Sequence, residues 1–211
     1  MVLNLTTEFV EKLGPLVDGV VGTAGTYQDL YEAMVAGGGP QWRNVIVVDG
    51  CTMTQAVTIT NTGISIVSLH HFITIGAYTL RLEGADIVLK NIRLSGATGN
   101  GVEIAASRCK MFQCEILSNS GIGIKCVSGY DDHDICNCVV WNNGDDGIEI
   151  DDGVLVRCVS NRISSNVGWG IDDNNAATDN SMFIGNVILG NTAGNLSTNA
   201  AAAYKISNLI T

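Results

Sequence analysis

Several of the usual ingredients of a fold are scarce in this sequence. Two prolines in 211 residues and an aromatic content of 6% do not describe a collagen or a disordered segment. No apolar run approaches the 18 or so residues of a membrane span, so no membrane partner is expected. The opening residues, Met1 to Glu8, have neither the basic region nor the apolar stretch of a signal peptide. Synthesis in a cytoplasm without general secretory export is the expectation. Basic residues are few, 11 against 21 acidic, for a net charge of −10. They are also scattered, which argues against nucleic acid, whose phosphates need clustered Lys and Arg. An acidic polysaccharide would be repelled unless a cation bridged it.

What is present is a repeat. The segments Leu89 to Gly96, Phe112 to Asn119, Cys136 to Asn143, Val159 to Asn166 and Ile184 to Asn191 align on their third residues, Asn91, Cys114, Cys138, Asn161 and Asn186. The spacings are 23, 24, 23 and 25 residues. Self-similarity at that period means a solenoid. Within each segment apolar or small residues alternate with polar ones, as a strand with one buried face requires; Arg93 breaks the alternation. Four segments end in Asn (119, 143, 166 and 191). A second short run follows at Gly123 to Cys126, Gly147 to Ile150, Gly170 to Asp173 and Asn195 to Thr198. Asn and Gly supply the left-handed conformations of sharp turns, and an inward Asn can also bond its neighbours in a stack. A coil of this size buries its apolar face only by stacking on the next. Helical repeats are disfavoured by the absence of an i, i+3, i+4 pattern. The fold class is therefore all-β, a parallel β-helix.

The phrase Asn161 to Asn166, with Gly147-Ile-Glu-Ile150, resembles the repeat of right-handed parallel β-helices of the pectate-lyase-like superfamily. The lead-in Thr26 to Leu30, Val45 to Gly50, Val57 to Ile59 and Gly63 to Val67 resembles the capping helix and first coils of that superfamily, phage tailspikes and other virion β-helix proteins among them. The resemblance covers residues 23 to about 200. It implies a right-handed β-helix, and it leaves activity open because the superfamily mixes lyases, hydrolases, epimerases and inert structural proteins.

Read in order, residues 1–22 are an N-terminal lead-in or attachment segment, with a short helix predicted over residues 5–17. Residues 23–211 form one β-helix domain. Thr26 and Asp29 read as a capping box opening an α-helix over 26–36, whose apolar residues Tyr27, Leu30, Tyr31, Met34 and Val35 would cover the first coil. Short strands are predicted at 45–48, 57–59, 64–67, 72–75, 80–82 and 87–89. His70 and His71 fall at a turn and cannot chelate one metal from opposite faces of a strand. The seven cysteines include no Cys-x-x-Cys pair. Cys114, Cys126, Cys136 and Cys138 read as inward reduced thiols, with a Cys114–Cys138 bridge as the alternative.

The residues with chemical potential are acidic: Asp131, Asp132 and Asp134 around His133, then Asp145, Asp146, Glu149, Asp151, Asp152, Asp172 and Asp173. The register stacks Lys125, Glu149 and Asp172 outward, so Glu149 and Asp172, with Asp146 nearby, are the candidate catalytic carboxylates, a pair of the kind glycoside hydrolysis uses. The same acids are also ordinary solvated turn and surface residues, or loose calcium ligands without the regular loop spacing. No cofactor or metal is assigned. The Gly-His-Gly and Arg-Ile-Lys blocks of polygalacturonase-like enzymes are missing, and Arg157 and Arg162 lie on another side of the solenoid.

Two functions follow. One is a non-enzymatic phage virion protein, decorating a capsid or forming a fibre, in contact with capsid or tail proteins and with a surface glycan as a further ligand. The resemblance to tailspikes implies a homotrimer; Tyr204, Ile206, Leu209 and Ile210, at a solenoid end with no amphipathic helix to cover it, are expected at or near the contact. The other is a tailspike-type depolymerase, a polysaccharide hydrolase or lyase.

Overall fold

The computed structural model describes residues 18–22, 27–34, 41–47, 50–74, 77–151, 154–174, 181–197 and 204–211. Side chains at 70–74 and 204–206 lie outside that description. The chain winds into a parallel β-solenoid of seven coils. Coil 1 contains Asn44–Val47, Cys51–Thr52 and Val57–Ile59; coil 2, Ser65–Thr74 and Leu80–Leu82; coil 3, Val88–Ser95 and Val102–Ile104. Coil 4 contains Lys110–Phe112, Glu115–Leu117 and Ile124–Cys126; coil 5, His133–Cys136, Val139–Trp141 and Ile148–Ile150. Coil 6 contains Val156–Val159, Arg162–Ser164 and Trp169–Asp173; coil 7, Met182–Ile184, Val187–Leu189 and Gly194–Leu196. Tyr204–Ile206 and Leu209–Ile210 start the next turn. Below coil 1, Gly19–Val21 pairs in parallel with Asn44–Val47, so the sheet reaches into the segment read as a lead-in.

Each coil has three sides. The predicted strands Phe112 to Ile116, Cys136 to Val140, Val159 to Ile163 and Ile184 to Ile188 are each bent into two by a left-handed residue at Gln113, Asn137, Ser160 and Gly185. The two halves form the first and second faces, joined into one 15-stranded sheet, and the run after the Asn turn forms the third, a 7-stranded sheet. The left-handed corners after the second face are Ser118, Asn142, Ser165 and Gly190, one residue before the conspicuous asparagines.

The core is a set of columns. Leu94, Ile116, Val140, Ile163 and Ile188 lie in register on the second face and all are fully buried. Burying one such side chain contributes about 1.5–3 kcal/mol, so these columns outweigh any surface term. Beside them run two asparagine ladders. Asn143, Asn166 and Asn191 each accept at Oδ1 from both the backbone and the side-chain amide of the asparagine one coil earlier. Asn186 and Asn208 do the same for Asn161 and Asn186 at the other corner.

Four expectations need correction. The first repeat is out by one residue: Asn91 is itself a left-handed corner (φ 58°) whose Nδ2 donates to the Ser68 carbonyl, and Ile92 is the partner of Cys114 in the column. That shift explains Arg93, which points outward beside Glu115. The capping helix over 26–36 is not found as predicted. Tyr27 bridges Val21 in parallel, and a single turn, Leu30–Glu32, starts at Asp29, whose carboxylate accepts from the Glu32 amide. Residues 26, 35 and 36 lie outside the described ones, as does the predicted helix at 5–17. His70 and His71 do not interrupt a strand; Ser65–Thr74 runs through them, with a register shift between Val67 and His71 absorbing the extra residues. Finally, Cys136 faces outward, because the inward residues of its strand are His133 and Ile135.

Candidate functional site

The third face presents one outward column: Arg81, Glu103, Lys125, Glu149 and Asp172. Strand alternation turns these side chains outward, where they stay half-buried against one another, while their neighbours fill the core. Glu149 and Asp172 are register partners on adjacent coils. The column's charges are largely paired: Arg81 with Glu103 at 2.5 Å, and Lys125 Nζ with Glu149 at 3.0 Å and Asp151 at 3.4 Å. Burial and then Asp151 raise the Glu149 carboxyl above its usual range, with Lys125 pulling the other way. Burial would lower the Lys125 ammonium, but Glu149 and Asp151 outweigh it and hold it up.

Asp146 occupies the turn before this face and is only 8% exposed. Its Oδ1 accepts from the Trp169 amide at 2.5 Å, which ties the turn of coil 5 to that of coil 6. Burial pushes its carboxyl up to about 6, against the Trp169 hydrogen bond and with help from Asp145, Asp172 and Glu149. An acid of that kind suits proton donation close to neutral pH. Asp173 points inward and is buried, its amide donating to Ser197 Oγ. Asp152 lies outside the described residues.

Asp131, Asp132 and Asp134 do not join this group. Asp134 is on the first face, where Arg157 Nε bonds it at 2.6 Å and Lys110 at 3.4 Å, while Arg157 also reaches Asp132 at 2.7 Å. Burial would raise the Asp134 carboxyl, yet the two cations hold it below its usual range. His133, between them in sequence, turns into the core and is fully buried. The seven cysteines are all free, so the Cys114–Cys138 bridge is not formed. Of the expected contact residues, Leu209 and Ile210 are 55% and 45% exposed. Tyr204 and Ile206 pair with coil 7, their side chains outside the description.

A depression of about 470 Å³ near coil 1 is lined by Gln28, Asp29, Gly50, Cys51, Thr52 and Thr54. Its one carboxylate, Asp29, is already engaged by the Glu32 amide and the Thr54 hydroxyl. Among the described residues, no three acidic, His or Cys side chains gather as a metal site. Reading the sequence missed the burial of Asp146 and the second asparagine ladder at Asn208; the recurrence of Asn at 161, 186 and 208 was the available signal for the latter.

Compared with known proteins, residues 42–210 match the family described as the right handed beta helix region. No curated protein and no solved structure matches the chain.

Proposed function

Because this chain belongs to the right-handed β-helix family, whose members differ in function far more than in fold, we propose that it is a non-enzymatic structural protein of a phage particle, decorating a capsid or forming part of a fibre. The observation that carries the non-enzymatic part is Lys125. It sits in the acidic column at 3.0 Å from Glu149 and 3.4 Å from Asp151, where a hydrolase would need a free carboxylate pair. The even spacing of Cys114, Cys138, Asn161 and Asn186, at 24, 23 and 25 residues, supports the same reading, since a substrate groove is walled by longer inserted loops. The virion setting rests on the likeness of the lead-in and repeat to tailspikes. Assembly as a homotrimer through Tyr204, Ile206, Leu209 and Ile210 is part of the proposal on that analogy. Truncation after Asn199 then lowers the oligomer's mass or aggregates the protein.

The second reading, a depolymerase, is favoured by Asp146, a buried acid raised to about 6 beside Asp172 and Glu149. Reducing-end release from capsular and cell-wall glycans separates the two. The structural reading expects no release above background by the wild-type protein. Release that disappears in D146N or in E149Q/D172N, with melting unchanged, would establish the enzyme.

A further inference from the structure

The second face differs from the other two. Its outward positions by register are Arg93 and Ser95 on coil 3, Glu115 and Leu117 on coil 4, Val139 and Trp141 on coil 5, Arg162 and the buried Ser164 on coil 6, and Val187 and Leu189 on coil 7. On the third face the outward column is charged at every coil from Arg81 to Asp172. On the second face coils 5 and 7 are wholly apolar outside, and Trp141 is 43% exposed. The residues behind it, Ile116, Val140, Ile163 and Ile188, are also apolar. Parallel sheets apolar on both sides are covered on both sides. The surface continues round the corner through Phe112, Cys136 and Val159, outward on the first face.

The charges on this face select what covers it. A chain of net charge −10 repels its own copies wherever acids dominate. From coil 4 to coil 7 the outward positions of the second face hold one acid, Glu115, and one base, Arg162. Glu115 is bound by Arg93, whereas Arg162 is exposed and makes no ion pair among the described residues. The two are two coils apart, with Val139 and Trp141 between them. We infer that two copies of this chain pair side by side through the second face, about a two-fold axis crossing coil 5 at Trp141. That axis sets coil 4 of each copy opposite coil 6 of the other, so Arg162 meets the other copy's Glu115 twice and the two Trp141 rings meet at the centre. An axis at coil 6 would oppose Arg162 to itself, and one at coil 4 would oppose Glu115 to itself.

This contact is lateral, so it goes beyond the structural reading above and is independent of the contact proposed at the C-terminal end. Five coils at about 4.8 Å make a strip about 24 Å long and, at three residues a strand, about 10 Å wide. That is smaller than the roughly 800 Å² per partner of a stable complex, so the pair dissociates on dilution and its mass is measured over a concentration series. By light scattering, R162E and E115R, each folded by its melting curve, have half the wild-type mass at a concentration where the wild type is fully paired. Mixed in equal amounts they recover the wild-type mass, because every contact is again Glu opposite Arg. Trp141→Cys, under mild oxidation, forms a cross-linked pair that the wild type does not, a readout that holds even if E115R fails to fold against Arg93. Unchanged mass in R162E, no recovery by two folded variants on mixing, or no cross-link through position 141 would each overturn the inference.

Discussion

His133 stands in an inward column between Cys109 and Val156, fully buried, and neither ring nitrogen has a hydrogen-bond partner. The Tyr130 backbone and the carboxylates of Asp131, Asp132 and Asp134 favour the charged ring, but burial dominates and lowers its pKa to about 4. The Tyr130 group is near enough to act on the charge without reaching hydrogen-bond geometry. An unfolded histidine titrates near 6.5, so between about 6.5 and 4 the unfolded chain binds the extra proton and acidification drains stability, by at most about 3 kcal/mol. Asp146 has the opposite sign. Its folded pKa of about 6 lies above the unfolded value near 3.9, so the folded state gains protons, and stability, as pH falls through that window. The denaturation midpoint of H133L should therefore rise as pH falls from 6 to 4, that of D146N should drop, and the wild type should lie between. Parallel profiles for wild type and H133L would remove His133 as the acid-sensitive group. The thiols give a second residue-scale test. Six cysteines are buried and Cys136 is half-buried, so a thiol reagent should titrate one group in the native protein and all seven in denaturant.

The asparagine ladders and a column of glycines do the work of fixing one coil on the next. Asn166 accepts from the amide and side chain of Asn143 and donates to Val140 and Asn191. Removing it in N166A leaves buried donors unpaired, at a cost of about 2–4 kcal/mol, read as a lower urea midpoint. Gly147 is present for close approach rather than for a left-handed turn, since a Cβ there would lie 2.6 Å from the Gly170 carbonyl oxygen and 2.7 Å from Ile163 Cγ2. G147A should cost about 1–3 kcal/mol by overpacking. The solenoid, its period and the ladder from Asn119 to Asn191 were legible because spacing and alternation are local signals. The three-sided cross-section was not, because its corners are Gln113, Asn137, Ser160 and Gly185, four residue types with only a backbone conformation in common. The stacking of Glu149 on Asp172 could be counted from the period. The burial of Asp146 could not, because it depends on where the next coil's Trp169 amide lies.

Across the whole molecule the three faces divide the labour. The third carries charges of both signs, Arg81 paired with Glu103 and Lys125 with Glu149, with Asp172 beside Glu149, each partly exposed pair contributing about 0–1 kcal/mol; the first is mixed; the second is apolar outside on coils 5 and 7 and charged at Arg93, Glu115 and Arg162. At the C-terminal end the second-face core column, buried through Ile188, reaches Ile210 at 45% exposure, a surface that the proposed trimer contact would cover. Salt should therefore shift melting little, whereas truncation after Asn199 or substitution at Trp141 should change assembly. The proposed structural role requires the chain to be found on the particle. The most direct measurement is quantitative mass spectrometry of gradient-purified phage particles from cells producing this chain. The account predicts the chain in the particle fraction at a fixed ratio to the major capsid protein. Its absence from particles, with all of it free in the lysate, would contradict the structural role.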